Sequence, residues 1–266
     1  MHKVKQPNTR QLAVVVTFAV VYFIFRMIPT FAMVGVSGGT FSLADVIAPL
    51  YGIILGPWGA LSVTLGTFLA FAFGRPMIFL GLDFLPSAVD VLLVGLLMQG
   101  KRLLAVVIYV VLFMAFLLNP YTSILIPISI PLLNLKMLVF YPWLHLAALI
   151  VLISPLSKKA PEWVNGSSLK NITYGVLIFT FIGTIAQHLV GGILYELVLG
   201  MLAGQAPETF RLLWNIVFWL YPFERGFLIG LSTVIGVPLV KALRSSGLLN
   251  QPIAKKSDLN VKSPTG

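Results

Sequence analysis

The feature that most constrains this chain is a series of apolar runs, each near 20 residues long, which recurs along its whole length. A helix of about 20 apolar residues is long enough to cross a hydrocarbon core of roughly 30 Å. Charged residues make up 10% of the chain, whereas ordinary soluble domains carry about 25%. We therefore expect an all-α, polytopic helical bundle in the cell membrane, with residues 1–245 forming a single transmembrane domain.

Eight apolar segments are predicted to be helical spans. They cover about 11–30, 42–56, 58–74, 84–100, 103–118, 137–156, 172–200 and 212–243. The second and third are short, and Gly56-Pro57-Trp58 joins them into a hairpin. This hairpin either crosses the membrane twice, giving eight spans, or re-enters it, giving six full crossings plus a hairpin. The expected number of transmembrane helices is therefore six to eight.

Thirteen of the 18 basic residues lie in four short clusters between or beyond the predicted spans. The clusters are Lys3, Lys5 and Arg10; Lys101 and Arg102; Lys158, Lys159 and Lys170; and Lys241, Arg244, Lys255, Lys256 and Lys262. If all four are cytoplasmic, an even number of crossings separates them and both termini are cytoplasmic. The net charge of +10 then reflects membrane topology and does not predict nucleic-acid binding.

Two polar segments complete the predicted organisation. Residues 157–171, "SKKAPEWVNGSSLKN", are expected to form a cytoplasmic loop and to mark the seam between two halves of the bundle. Residues 246–266 are polar and basic, so we expect a disordered cytoplasmic tail.

Several kinds of chemistry are not supported by the sequence. It contains no cysteine for disulfides or thiolate metal sites, its three histidines lack metal-ligand spacing, and no Walker motif predicts a nucleotide site. The stretch Gly35–Gly39 matches G-x-S-x-G, but it lies in a loop and not in the required strand-turn-helix context. A catalytic serine/histidine dyad formed by Ser37 and His188 is not supported by any second motif. We therefore predict neither an enzyme nor a bound cofactor.

The acidic residues point to a different kind of site. Six of the eight lie in predicted spans or outer loops, where a charge at a helix centre costs at least ~2.5 kcal/mol. Such residues normally face a cavity or one another. The simplest interpretation is a polar pocket near the outer face, which suits the capture of a solute from outside.

Asp45 is the strongest candidate for this pocket. It opens a helix in which Gly52 and Gly56, four residues apart, lie on one face and let another helix approach closely. That face is expected to pack inside the protein, so Asp45 should point into the bundle. It either contacts a ligand's amine or hydroxyl, or pairs with Arg26 or Arg75.

Two more acids follow in the fourth span. Asp83 precedes "FLPSAVDVLL" and suits a helix N-cap, although it also lies near the expected pocket. Asp90 is seven residues further along and nearly on the same helix face, deeper in the membrane. A cap cannot explain Asp90, which either lines the pocket or is structural.

The seventh span carries a polar stripe. In "AQHLVGGILYELVLG", Gln187, Gly191 and Tyr195 form one stripe, while His188, Gly192 and Glu196 form the adjacent one. The two glycines leave room for a ligand, or else allow tight packing around an internal His188–Glu196 pair. His145 is expected to be a hydrogen-bonded core histidine.

The last span adds a charge pair and several aromatic residues. Glu224 and Arg225 either line the pocket or pair with charges at the outer surface. Trp214, Trp219 and Tyr221 are typical of interfacial aromatic residues, and some of them would be able to stack on a flat ligand. The predicted ligand-binding residues are Asp45, Asp83, Asp90, Gln187, His188, Tyr195, Glu196 and Glu224.

Two stretches of the chain resemble a known family. "GGTFSLADVIAPLYGIILGPWGALSVTLGTFLA" and "YPFERGFLIGLSTVIGVPLVKAL" are similar to the first core helices and the last helix of the substrate-binding (S) components of energy-coupling-factor (ECF) transporters. Ala13 and Thr17 stand where that family often has paired alanines. The resemblance implies binding of a small vitamin-like solute, and uptake driven by a membrane coupling subunit with cytoplasmic ATPases.

Two alternatives to an S component stay open at the level of sequence. The chain is either such a subunit or a solitary secondary transporter in which Asp45 or Asp90 carries protons. Outside transport, it is a membrane-embedded enzyme or scaffold. The excess of acids over histidines near the outer face hints at a ligand with a positive charge or several hydroxyls.

Overall fold

The computed structural model describes residues 9–130 and 135–246, and most of them are helical. The helices are α1 (Thr9–Arg26), α2 (Ala44–Leu55), α3 (Gly59–Ala72), α4 (Leu85–Met98), α5 (Arg102–Leu118), α6 (Trp143–Ile153), α7 (Pro155–Asn165), α8 (Leu169–Leu194), α9 (Pro207–Arg211) and α10 (Leu213–Ser245). A 3₁₀ turn (Gly56–Trp58) joins α2 to α3, and a π-helix (Tyr195–Leu202) extends α8. The strands are β1 (Pro29–Ala32), β2 (Thr40–Ser42), β3 (Leu125–Ile130) and β4 (Leu135–Phe140).

The contacts at the ends of α2 and α3 show that these helices form an antiparallel hairpin. Arg75, which follows α3, donates to the carbonyl of Thr40, which precedes α2 (2.8 Å). At the same end Asp45 lies beside Arg26, the last residue of α1. We refer to this end of the bundle as the Asp45 end.

The turn of this hairpin explains the Gly-Pro break in the sequence. Gly56 has φ +61° and ψ −151°, a backbone region that is essentially restricted to glycine. Gly95 of α4 packs so closely on the backbone of Gly56 and Pro57 that a Cβ there would overlap it. On the same face of α2, Gly52 contacts Val94 of α4. The predicted close approach at Gly52 and Gly56 is therefore present, and the partner is α4.

The opposite end of the bundle collects the basic residues, and we refer to it as the Arg102 end. Arg102, at the start of α5, donates to the carbonyls of Leu152 and Ile153 at the end of α6. Arg244, at the end of α10, donates to the carbonyls of Val164 and Gly166 beside α7. The described members of three of the four predicted basic clusters thus lie at one end. The remaining cluster, at Lys3–Arg10, lies mostly outside the described residues, as does nearly all of the predicted disordered tail.

Length and composition bear on how many segments cross a membrane. Within the described ranges, three segments are long and apolar enough: Ala44–Ala72, Leu169–Leu202 and Pro207–Ser245. The bent pair formed by α6 and α7, with 69° between its two helices, makes a fourth if it is one span. Ala44–Ala72 is the α2–α3 hairpin, so it is one apolar segment but two helices. Membrane-length apolar helices are therefore present, while the expected six to eight crossings are not confirmed.

Two β-hairpins correct the expectation of an entirely helical chain. β1 pairs with β2, and β3 pairs with β4, both antiparallel. β4 occupies the start of the span predicted at 137–156, so α6 begins later, at Trp143. The pattern "LIPISI" explains β3: Ile126 is buried whereas Leu125 is exposed, and alternation of this kind is typical of a strand with one buried face.

The predicted cytoplasmic loop at 157–171 is also different in the structure. Most of it is the amphipathic helix α7, with Ser157, Ala160 and Val164 buried. The Ser154 hydroxyl caps this helix by accepting from the Leu156 N–H (3.2 Å), and Pro155 suits its first position. Helices from both sides of the predicted seam pack together, because α8 contacts α2 and α4 as well as α10.

Candidate functional site

A cavity lies at the Asp45 end, between the β1–β2 hairpin, the 73–84 loop and the ends of α1, α2, α4, α8 and α10. It encloses about 110 Å³. One water needs roughly 10–15 Å³ by this kind of measure, so the cavity has room for several waters or a small ligand. Six of the eight predicted ligand-binding residues line it: Asp45, Asp83, Gln187, His188, Tyr195 and Glu224.

Asp45 is the centre of a buried polar network. One carboxylate oxygen accepts from Gln187 Nε2 (2.7 Å) and Ser87 Oγ (3.4 Å). The other accepts from the backbone N–H of Ser42 (2.9 Å), much as the carboxylate of a capping box reaches back. Arg26 Nη1 lies 3.8 Å away. Asp45 therefore pairs with Arg26, as one of the two interpretations predicted, and it also borders the cavity.

Two other charged residues at this end, Arg75 and Asp83, hold the surrounding loops. Arg75 donates to the carbonyls of Thr40 and Phe41 (2.8 and 3.3 Å) and not to Asp45. Asp83 does not cap α4, because its carboxylate accepts from the backbone N–H groups of Ile78 and Phe79 (both 3.0 Å). The N-cap prediction was wrong for a local reason: the 74–84 loop folds back so that its own N–H groups reach Asp83 first.

The predicted polar stripe of α8 faces the cavity over two turns. Gln187, His188, Gly191, Gly192 and Tyr195 all line it. A Cβ at Gly191 would meet no atom within 4 Å, so the cavity passes directly over this backbone. The Gln187 amide orientation follows from its partners, because only the NH₂ group can donate to a carboxylate. Its Oε1 is buried and has no hydrogen-bond partner among the described residues.

Behind this stripe, two histidines form a pair surrounded by aromatic rings. His145 Nε2 and His188 Nδ1 are 3.0 Å apart, and the Tyr221 ring stacks on both imidazoles, with centroids 5.9 and 5.0 Å away. His145 is fully buried, which confirms the prediction of a hydrogen-bonded core histidine. The partner of His188 is thus His145 and not Glu196.

Two of the predicted site residues do not line the cavity. Asp90 is fully buried against Gly183 of α8, and neither carboxylate oxygen has a hydrogen-bond partner among the described residues. Glu196 is fully buried and lies 2.6 Å from the Thr122 hydroxyl. Glu196, in the π-helix that extends α8, thus turns to Thr122 and does not continue the predicted stripe of His188 and Gly192 along the cavity.

The aromatic residues of α10 are mostly internal. Trp214 is buried, lines the cavity and donates from Nε1 to the Tyr121 carbonyl (2.9 Å). Tyr221 is fully buried, and its hydroxyl donates to the Tyr141 carbonyl (3.0 Å). The interfacial prediction was wrong for these two because each polar atom finds a partner inside the protein. Trp219 is exposed, as an interfacial residue would be.

The most deeply buried cation of the site is Arg225, which was expected either to line the pocket or to pair with charges at the outer surface and was not among the predicted ligand-binding residues. Arg225 is 2% exposed and lines the cavity. Its guanidinium carbon lies 5.1 Å from the centre of the Phe41 ring, and Nη2 is 3.8 Å from a carboxylate oxygen of Glu224. The sequence signal was an arginine in an otherwise apolar helix, which by itself marks a functional candidate.

The formal charges of the lining balance. Arg26, Arg75 and Arg225 oppose Asp45, Asp83 and Glu224. Within the described parts of the chain, no group of three or more His, Asp or Glu residues is arranged to hold a metal ion. Ser37 is exposed and lies outside the cavity lining, so the structure does not bring it to His188.

Comparison of the chain with protein-family models, with curated proteins and with solved structures finds no match. The cavity itself is therefore what carries any functional conclusion.

Proposed function

We propose that this protein is a membrane transporter subunit that binds a small solute from the outer face in the cavity at the Asp45 end. The observation that carries this proposal is the convergence of polar side chains from four separate helices on one cavity inside an apolar bundle. Polar groups within an apolar bundle are costly and usually serve a pathway or a ligand. A concave site with a few convergent polar groups is also the default form of a small-molecule site.

The basic residues support an orientation in which the Arg102 end faces the cytoplasm. The described members of three of the basic clusters lie at this end, and positive charge in short loops marks the cytoplasmic side. The cavity then opens toward the outside. On this basis both termini are cytoplasmic, and the α2–α3 hairpin, whose helices have 12 and 14 residues, either crosses the bilayer twice or re-enters it from the outer face.

The mode of energy coupling rests on the resemblance to S components of ECF transporters. A subunit of that type binds a vitamin-like solute and needs a membrane coupling subunit with cytoplasmic ATPases. A proton-coupled secondary transporter is the second candidate, and one observation favours it: Asp90 is a fully buried carboxyl without a hydrogen-bond partner among the described residues. Uptake that collapses with the proton gradient while ATP is maintained would favour this second candidate.

The binding step is tested by purifying the protein in mild detergent and identifying by mass spectrometry the small molecules released on denaturation. Gly191→Leu should abolish the release, because the new side chain enters open cavity space and creates no clash at its Cβ. Gly230→Leu is the matched control, since Gly230 is exposed on α10 and a Cβ there also meets nothing within 4 Å. Equal release from both variants would refute binding in this cavity.

A further inference from the structure

The hydrogen-bonding state of the cavity indicates which ligand chemistry it accepts. We propose that Arg225 binds an oxyanion, so that the solute is a small organic anion with a carboxylate or phosphate group and an apolar body. This inference rests on the proposed function, because it names the class of solute that the same cavity takes.

Arg225 has donors to spare. Its Nε and Nη2 atoms are buried and have no hydrogen-bond partner among the described residues. Glu224 comes within 3.8 Å of Nη2, which is too far for a hydrogen bond. This distance follows from the sequence, because adjacent residues on a helix point in different directions. Glu224 thus balances the charge of Arg225 without using its N–H groups.

The guanidinium is also held in place for recognition. Phe41 lies at 5.1 Å from its central carbon, a distance at which a ring attracts and orients an arginine. A planar guanidinium presents its N–H groups as a fork that matches two oxygens of a carboxylate or phosphate. Because Arg225 is almost completely buried, such a bond would form away from bulk water, where it is strongest.

Two of the three acids of the cavity, Asp45 and Asp83, are already engaged by protein donors, and the third, Glu224, lies beside the charge of Arg225. Both oxygens of Asp45 accept hydrogen bonds from protein donors, and so do both oxygens of Asp83. Arg26 Nε is a further buried donor without a partner among the described residues. Among the charged residues of the lining, the buried atoms that lack a partner within the described residues are therefore all donors, which favours an anionic ligand and reverses the hint given by the number of acids in the sequence.

The rest of the wall indicates an apolar body for the solute. Phe79, Trp214, Val217 and Leu220 line the same cavity as Arg225. Gln187 Oε1 adds one buried acceptor without a partner in the described structure, which suits a single hydroxyl or N–H on the ligand. A ligand of several charges would leave some of them unpaired against this wall.

The inference is tested with three probes of similar size that differ in charge: benzoate, benzamide and benzylamine. Phenyl phosphate serves as a second anion. The readout is the melting temperature of the detergent-purified protein with each probe at equal millimolar concentration, followed by titration to obtain Kd. We expect benzoate or phenyl phosphate to stabilise the protein more than benzamide and benzylamine do. The better of the two anions identifies the head group as carboxylate or phosphate.

Two substitutions should act in opposite directions. Arg225→Gln should weaken anion binding about tenfold to 100-fold, the usual range for losing a hydrogen bond to a charged group. Glu224→Gln removes the competing negative charge and should tighten anion binding. The double variant, with both changes, leaves no unpaired charge, so it separates loss of binding from loss of folding and should also fail to bind anions.

The outcomes distinguish this inference from the proposed function. If benzoate and phenyl phosphate stabilise the parent no better than benzamide, or if Glu224→Gln weakens their binding, the anion inference is overturned. Binding of benzylamine or benzamide that is tighter than anion binding and is lost in Gly191→Leu would overturn it too, while leaving the solute-binding cavity intact. Anion binding that persists unchanged in Gly191→Leu would place the anion elsewhere and overturn the assignment to Arg225.

Discussion

Replacing Asp45 by Asn tests whether the Asp45–Arg26 pair holds the Asp45 end together. The substitution keeps the shape of the side chain and removes its charge. Asn can still accept from the Ser42 N–H, and Gln187 can turn its amide so that its Oε1, which has no partner among the described residues, accepts from the new NH₂ group. The hydrogen bonds are therefore largely replaced, and the loss falls on the ion pair with Arg26.

The size of that loss follows from the geometry. Nη1 of Arg26 lies 3.8 Å from the carboxylate, and both side chains are largely buried. Two charges about 4 Å apart interact by about 4 kcal/mol at an effective dielectric constant of 20, and removing one partner of a buried pair costs about 3–5 kcal/mol. Arg26 also donates to the Asp83 carbonyl (3.2 Å), which offsets part of the penalty. We expect Asp45→Asn to lower the free energy of unfolding by about 3 kcal/mol.

The assay is reversible denaturation with SDS in mixed micelles, applied as a double-mutant cycle with Arg26→Met. A control, Glu208→Gln at an exposed site, should change stability by less than about 0.5 kcal/mol. Solute affinity should stay within about threefold (roughly 0.7 kcal/mol), because the protein already uses both carboxylate oxygens. A coupling energy below about 0.5 kcal/mol, or a large loss of affinity at unchanged stability, would refute this reasoning and make Asp45 a direct ligand contact.

Three further substitutions and one mapping of tag accessibility test other parts of the structure. Gly183→Ala should destabilise by about 1–3 kcal/mol, since its Cβ would overlap Asp90, and a melting temperature equal to that of the parent would contradict that contact. Gly56→Ala should cost of order 1–3 kcal/mol from backbone strain at φ +61°; unchanged thermal stability would argue against this turn. Thr122→Val should cost about 1–3 kcal/mol by leaving Glu196 unpaired, and full stability would show that the carboxyl has another partner. Tags at both ends should be accessible from the cytoplasmic side only; labelling of either from outside would disprove the orientation.

Much of the site was predictable because its polar residues stand out against an apolar background. Asp45 and the stripe that contains Gln187 and Tyr195 were found from burial cost and helical periodicity, and the structure places these residues around one cavity. The turn at Gly56-Pro57 was likewise predictable, since its residue types have few other uses within an apolar run. Such features depend on the local sequence, so they can be predicted without knowing which distant residues pack against them.

The features that escaped prediction depend on partners distant in sequence. Arg225 was expected either to line the pocket or to pair with charges at the outer surface, and its position over Phe41 becomes visible only when α10 and the β2 strand are packed together. Glu196 was assigned by helical spacing, but its partner Thr122 lies 74 residues away in the sequence and becomes visible only in the folded chain. In each case the residue type was flagged correctly and its role was not, because burial cost identifies which polar groups need a partner but does not say which partner they find. The same principle applies to Arg225, whose Nε and Nη2 have no hydrogen-bond partner among the described residues. A buried polar group that lines a cavity and has no partner there is well placed to bind a ligand.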